Sequence, residues 1–140
     1  MENDKPVRVA VYARVSTEHE AQVLALDNQL EWYTDIIERN PNYIEVGRYI
    51  DEGITGTSAK KREGFMRMIK DAQNGVFDLI ITREVSRFAR NTLDTIKYVN
   101  ELKEFGVVVH FIGDGIRTDD PDGEFRLTLM AGLAQDESRK

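Results

Sequence analysis

Arg14 and Ser16 stand two residues apart where the apolar stretch Val7 to Val15 gives way to polar residues. Along an extended strand alternate side chains share a face, so the guanidinium and the hydroxyl point to the same side. Further arginines recur in comparable places: Arg62 in a polar, glycine-containing segment ahead of a helical stretch, and Arg83, Arg87 and Arg90 directly after the apolar run Phe77 to Thr82. At i, i+4 and i+7 the last three would share one face of a helix. Guanidiniums gathered on one rim repel one another unless an anion lies between them, and the planar fork of arginine matches phosphate oxygens in paired hydrogen bonds. Phosphate is the ligand class this set predicts. A serine hydroxyl among such charges could attack phosphorus, because they favour its alkoxide and stabilise the extra negative charge of a pentacoordinate transition state. Taken singly the residues have plainer roles, Ser16 as the cap of the helix after it and the arginines as a solvated face. From local sequence alone the cap is the commoner role for such a serine.

Other chemistries find little support. The chain has no cysteine, which removes disulfides, thiolate metal sites and cysteine nucleophiles and fits a reducing compartment. It has no G-x-x-x-x-G-K-[ST] loop, no G-x-G-x-x-G opening a helix, no G-x-S-x-G elbow and no H-E-x-x-H. Its two histidines are His19, at a helix start, and His110, inside an apolar run, which argues against a Ser-His-Asp hydrolase. Asp114, Asp119, Asp120 and Glu124 admit a metal site, although a carboxylate-rich turn before a helix is more often a solvated loop with a favourable dipole. A net charge of −6 argues, taken alone, against a nucleic-acid partner. Apolar runs such as Val107 to Ile112 fall far short of the roughly 20 residues of a membrane helix, and no signal-peptide pattern is present, so a soluble, cytoplasmic protein is expected.

Periodicity along the chain predicts the scaffold that carries these side chains. At 140 residues, 41% hydrophobic and 31% charged, the chain suits one well-cored domain. Val7 to Val15 reads as a strand, and Leu26, Leu30, Tyr33 and Ile37 give the helix after it its apolar stripe. Tyr43 to Ile50 alternates like a second strand, and Asp51 to Gly64 is loop-like. Phe65, Met68, Ile69 and Ala72 mark a second helix. Phe77 to Thr82 is a buried strand, Asn91 to Glu104 a helix with a face of Leu93, Ile96 and Leu102, and Val107 to Ile112 a fourth strand after Gly106. The last segment is a helix with two apolar sides, Phe125, Leu129 and Leu133 on one and Leu127, Met130 and Ala134 on another, an arc too wide for one contact. It stops without a cap at Lys140, as expected of a piece of something longer. The fold class is α/β: a mostly parallel sheet of four to five strands with helices on both faces and a long C-terminal helix. In such sheets function gathers beyond the carboxyl ends of the strands. That rule places Arg14 to Thr17, Asp51 to Gly56, Arg83 to Arg90 and Gly113 to Asp119 on one rim.

Four stretches, in order and spacing, resemble the catalytic domain of serine recombinases, the resolvase and invertase family. They are YARVST (Tyr12 to Thr17), DEGITGTSAKKREGF (Asp51 to Phe65), VSRFARN (Val85 to Asn91) and AGLAQDESR (Ala131 to Arg139). Together they reverse the odds on Ser16. The resemblance implies that Ser16 is the nucleophile, that Arg14, Arg62, Arg87 and Arg90 bind the phosphate, and that Gln29 and Asp51 support the site. Arg83 matches no active-site position of the family, and Ser86 stands where many members have aspartate. The SRFAR form and the longer segment between Ser16 and Gln29 look more like the large serine integrases and transposases than small resolvases. The activity implied by the resemblance is site-specific DNA recombination through a 5′-phosphoserine link, with neither metal nor ATP, by tetramers assembled from dimers. It also implies a catalytic core over 1–122, and over 123–140 the start of a long dimerisation helix. Sequence-specific DNA binding would lie mainly in C-terminal domains beyond this chain, so an acidic catalytic domain needs only local positive charge. The rival readings are a metal-dependent nuclease built on Asp114, Asp119 and Glu124, and a non-catalytic α/β interaction module.

Overall fold

A computed structural model describes residues 5–15, 20–52, 62–89 and 91–138, with side chains at all of these except 15, 20–27 and 133–138. Five strands, β1 (Val7–Val15), β2 (Tyr43–Glu52), β3 (Leu79–Thr82), β4 (Val108–Phe111) and β5 (Ile116–Arg117), form one sheet in the order β2-β1-β3-β4-β5. β1, β2, β3 and β4 run parallel, and β5 is antiparallel to β4. Parallel neighbours require crossovers. They are supplied by α1 (Glu20–Glu38), α2 (Glu63–Gln73) and α3 (Thr92–Glu104), and α4 (Pro121–Ser138) comes after β5.

The period of two along β1 divides the core. Val9, Val11 and Ala13, with Leu79 and Ile81, face Tyr33 and flanking Leu30, Trp32, Ile36 and Ile37 of α1. Ala10 and Tyr12, with Ile80, Val109 and Phe111, face Phe65, Met68, Ile69 and Ala72 of α2, Val99 and Leu102 of α3, and Leu127 of α4. One helix therefore covers the first face and three cover the second. The α2 stripe is buried at the spacing its sequence predicts. On α3 the buried positions are Thr95, Val99 and Leu102 instead, with Ile96 partly buried and Leu93 47% exposed. Leu93 lies across the helix from Leu102 at 3.6 residues per turn, so the two never shared a face. Asn91 caps α3 by accepting from the Asp94 amide at 2.8 Å. The turn after α3 needs the left-handed backbone of Gly106, at φ +78°.

α4 docks through Leu127, Ala131 and the partly buried Met130, while Phe125 and Leu129 are 62% and 51% exposed. Among the side chains described on this helix, apolar residues stand on two sides and one of these is buried against the core. Among the described residues no helix is long and apolar enough to cross a membrane.

Candidate active site

The strand order reverses between β1 and β3, and the crevice outside the carboxyl ends at such a point is where open α/β sheets bind ligands. Arg14 lies at this end of β1, half-buried, in register with Asp51 at the end of β2. Asp51 is 5% exposed and accepts three hydrogen bonds: Gly64 N at 2.7 Å, Phe65 N at 2.9 Å and Tyr12 Oη at 2.8 Å. Two of these donors are unpaired amides of the α2 N-terminus, where a carboxylate also complements the helix dipole. The approach is so close that a Cβ on Gly64 would lie 2.8 Å from Asp51 Oδ1 and 3.1 Å from the Ile50 carbonyl oxygen.

Arg62 precedes α2 and reaches back over this cluster. Its Nη2 donates to Tyr12 Oη at 3.0 Å and to the Phe88 carbonyl, and its Cζ lies 4.1 Å from the Phe65 ring centre. Nε is buried with no partner among the described residues. Burial holds the Tyr12 hydroxyl far above the usual phenol range; Arg62 pulls it down and Asp51 pushes it further up. Tyr12 thus stays a neutral hydroxyl that accepts from Arg62 and donates to Asp51, linking the ends of β1 and β2 to the start of α2.

Beyond β3 the chain makes a short 3₁₀ turn, Val85–Arg87. Val85, Phe88 and Ala89 are at most 1% exposed, and Phe88 packs edge-on against Tyr12, Phe65 and Phe111. Asp114, from the turn after β4, accepts from the Val85 amide at 2.7 Å. These anchors leave Ser86 and Arg87 outward. Arg87 Nε forms a loose ion pair with Glu84 Oε1 at 3.6 Å, beyond hydrogen-bond range, and no closer partner of its guanidinium is found among the described residues. Arg90 lies outside the described residues, and the helical face expected to join Arg83 to Arg87 is not formed: the backbone is extended at Glu84 and turns through 3₁₀ geometry at 85–87. Fixing Val85, Phe88 and Ala89 in the core outweighs the helical spacing.

The resolvase family profile described as "Resolvase, N terminal domain" matches residues 9–140. This chain belongs to that family. It is 31% identical over 134 residues to the transposon Tn3 resolvase of Escherichia coli, an alignment covering 96% of this chain and 65% of the relative. The chain thus spans just under two thirds of the length of that relative. Among solved structures, a resolvase family site-specific recombinase from Streptococcus pneumoniae superposes with a TM-score of 0.79 at 29% identity, covering 95% of this chain and 91% of the other. The N-terminal catalytic domain of TP901-1 integrase gives 0.73 at 25%, covering 94% and 97%. The fold is that of these catalytic domains.

Within this resolvase-family framework the expected site residues are partly gathered. Arg14, Asp51 and Arg62 surround the Tyr12 side of the rim, and Arg87 stands on the loop that Phe88 anchors there. Ser16, Arg90 and His19 lie outside the described residues. Gln29 joins a different group: with Asn28, Trp32 and Arg83 it lines a recess of about 310 Å³ on the α1 side of the sheet. The carboxylates of the nuclease reading do not converge. Asp114 holds the Val85 amide, Asp119 pairs with Arg117 at 2.9 Å and Glu124 pairs with Lys103. Among the described residues no group of three or more potential metal ligands forms. Tyr12 is absent from the site residues that the sequence singles out, although its period-two relation to Arg14 is readable along β1. Nothing local points to the Phe88 carbonyl as a partner of Arg62.

Proposed function

We propose that this chain is the catalytic domain of a site-specific DNA recombinase in which Ser16 is the nucleophile. The observation that carries the reading is the placement of Arg14, Arg62 and Arg87 around the carboxyl rim of the sheet in a chain that matches the resolvase family over 9–140. In the reaction Ser16 Oγ bonds to a backbone phosphorus, the bond from phosphorus to the 3′ oxygen breaks, and the serine proton ends, net, on the free 3′ hydroxyl. One phosphate ester replaces another, so the bond energy is retained for rejoining when a 3′ hydroxyl attacks the phosphoserine. Arg14, Arg62, Arg87 and Arg90 stabilise the charge that builds on the phosphate oxygens. Asp51 holds Tyr12 and the α2 N-terminus, which fixes the base of Arg62, and Gln29 supports the site from the α1 side. No cofactor takes part.

DNA is the substrate, and sequence-specific binding resides mainly in domains beyond residues 1–140. The core over 1–122 leads into the beginning of a dimerisation helix over 123–140. The exposed Phe125 and Leu129 of α4 suit a contact with a second copy, giving a homodimer and, when two sites pair, a tetramer. The protein acts in the cytoplasm. The test is recombination of a plasmid carrying two copies of the cognate site, by the full-length protein in EDTA. Recombinant product is expected, and none with Ser16→Ala; loss of product in EDTA with recovery on adding a divalent metal would overturn the reading.

A further inference from the structure

Arg83 is the one rim arginine the family pattern leaves without a role. It comes directly after β3, and its Cζ lies 5.4 Å from the centre of the Trp32 indole on α1. Trp32 in turn packs edge-on against Tyr33, 5.0 Å between centroids, and against the α1-side core. Several other arginines have anionic or carbonyl partners, Arg8 with Asp78, Arg48 with Glu45, Arg117 with Asp119, and Arg126 with the carbonyls of Asp114 and Gly115, while Arg67 likewise lies over a ring, 5.3 Å from the centre of Tyr49. Among the described residues no carboxylate pairs with Arg83, although the chain carries 25 acidic side chains. A cation–π seat uses the charge of a guanidinium and leaves its N–H edge for an acceptor. The side-chain amides of Asn28 and Gln29 add donors to the same recess of about 310 Å³.

We propose that Trp32, Arg83 and the amides of Asn28 and Gln29 form a second phosphate seat, which takes a DNA backbone phosphate next to the one attacked. This rests on the recombinase reading above and adds to it a contact that positions the strand without reading its sequence. The indole fixes the direction of Arg83, and an acidic domain thereby gains a local cationic groove where the strand must pass.

Trp32 is the only tryptophan of this sequence and reports on the seat. The full-length protein carrying Ser16→Ala is titrated with a DNA duplex of the cognate site at several salt concentrations, with Trp32→Phe as the fluorescence blank. Binding is expected to change Trp32 emission, and inorganic phosphate alone is not. Arg83→Ala should abolish that change and reduce the slope of log affinity against log salt by about 1, while Arg83→Lys keeps the slope. If Arg83→Ala does not fold, Arg83→Gln replaces it. An unchanged slope and emission response in the uncharged variant would overturn the seat, as would full saturation of the response by inorganic phosphate. In either case a Ser16-dependent DNA adduct in the otherwise native protein leaves the recombinase reading standing, and its absence removes that reading separately.

Discussion

Replacing Asp51 tests how the candidate site is built. Its carboxylate serves two α2 amides and the Tyr12 hydroxyl, all within 2.9 Å, at a position 5% exposed. Asp51→Ala removes an N-terminal cap, which costs about 0.5–2 kcal/mol. It also strands the buried Tyr12 proton, for about 1–3 kcal/mol more. The sum, about 3 kcal/mol, is a large share of the roughly 5–15 kcal/mol that holds a domain together, so the variant should fold but unfold at clearly lower urea. Asp51→Asn keeps one acceptor oxygen and turns an amide donor towards donors. Tyr12 can answer by rotating its hydroxyl to accept, so about 1–2 kcal/mol is expected. The assay is urea unfolding of both variants in native and Tyr12→Phe backgrounds. A coupling of about 1 kcal/mol between Asp51→Ala and Tyr12→Phe is the signature of the shared bond. A loss below about 0.5 kcal/mol for Asp51→Ala, or no coupling, would refute the cap-and-clamp reasoning, since no surface residue of this kind should exceed that figure.

Further expectations concern neighbouring features. Gly64→Ala should destabilise by about 1–3 kcal/mol in the same urea assay, because the added carbon meets Asp51 and the Ile50 carbonyl and this exceeds the helix propensity alanine brings. Burial first, then Arg117, holds the His110 ring below 6.5 while Asp119 pulls it up. The fold therefore favours the neutral ring: its contribution is complete above pH 6.5 and falls as pH drops below, where the unfolded chain takes the proton first. Unfolding between pH 7 and 5 should show the native protein losing stability relative to His110→Gln; parallel curves would contradict this. The Arg8 guanidinium holds the Asp78 carboxyl below 3.8, so the stability it lends is present above that pH and lost as pH falls through the lowered value. In Arg8→Gln, carbon NMR should show the Asp78 titration moving back up towards 3.8.

The parallel sheet and its helices were readable because their signals are local. Phe65, Met68, Ile69 and Ala72 repeat at helical spacing and are all buried. β5 was not readable, since Ile116–Arg117 is too short to show any alternation and exists by pairing with His110 and Phe111. The spacing of Arg83 and Arg87 is misleading for a similar reason: core contacts of Phe88 decide that backbone, and they come from β1, α2 and β4. Arg14, Arg62 and Arg87 are legible as arginines of the carboxyl rim from residue type and from their places after strands or ahead of a helix. The link between them is not, because Asp51 caps amides 13 and 14 residues further along and Arg62 reaches the Tyr12 hydroxyl 50 residues back. Likewise the carboxylates of Asp114, Asp119 and Glu124 cluster in sequence but are drawn apart by Val85, Arg117 and Lys103.

Covalent attachment of Ser16 to DNA separates the recombinase mechanism from every rival. To detect it, the full-length protein is incubated with nicked cognate DNA in EDTA, beside its Ser16→Ala variant, and both are resolved on a denaturing gel. A protein–DNA adduct joined through a 5′ phosphate is expected from the native protein and none from the variant. No adduct in EDTA, with cleavage restored by a divalent metal and unaffected by Ser16→Ala, would contradict the mechanism.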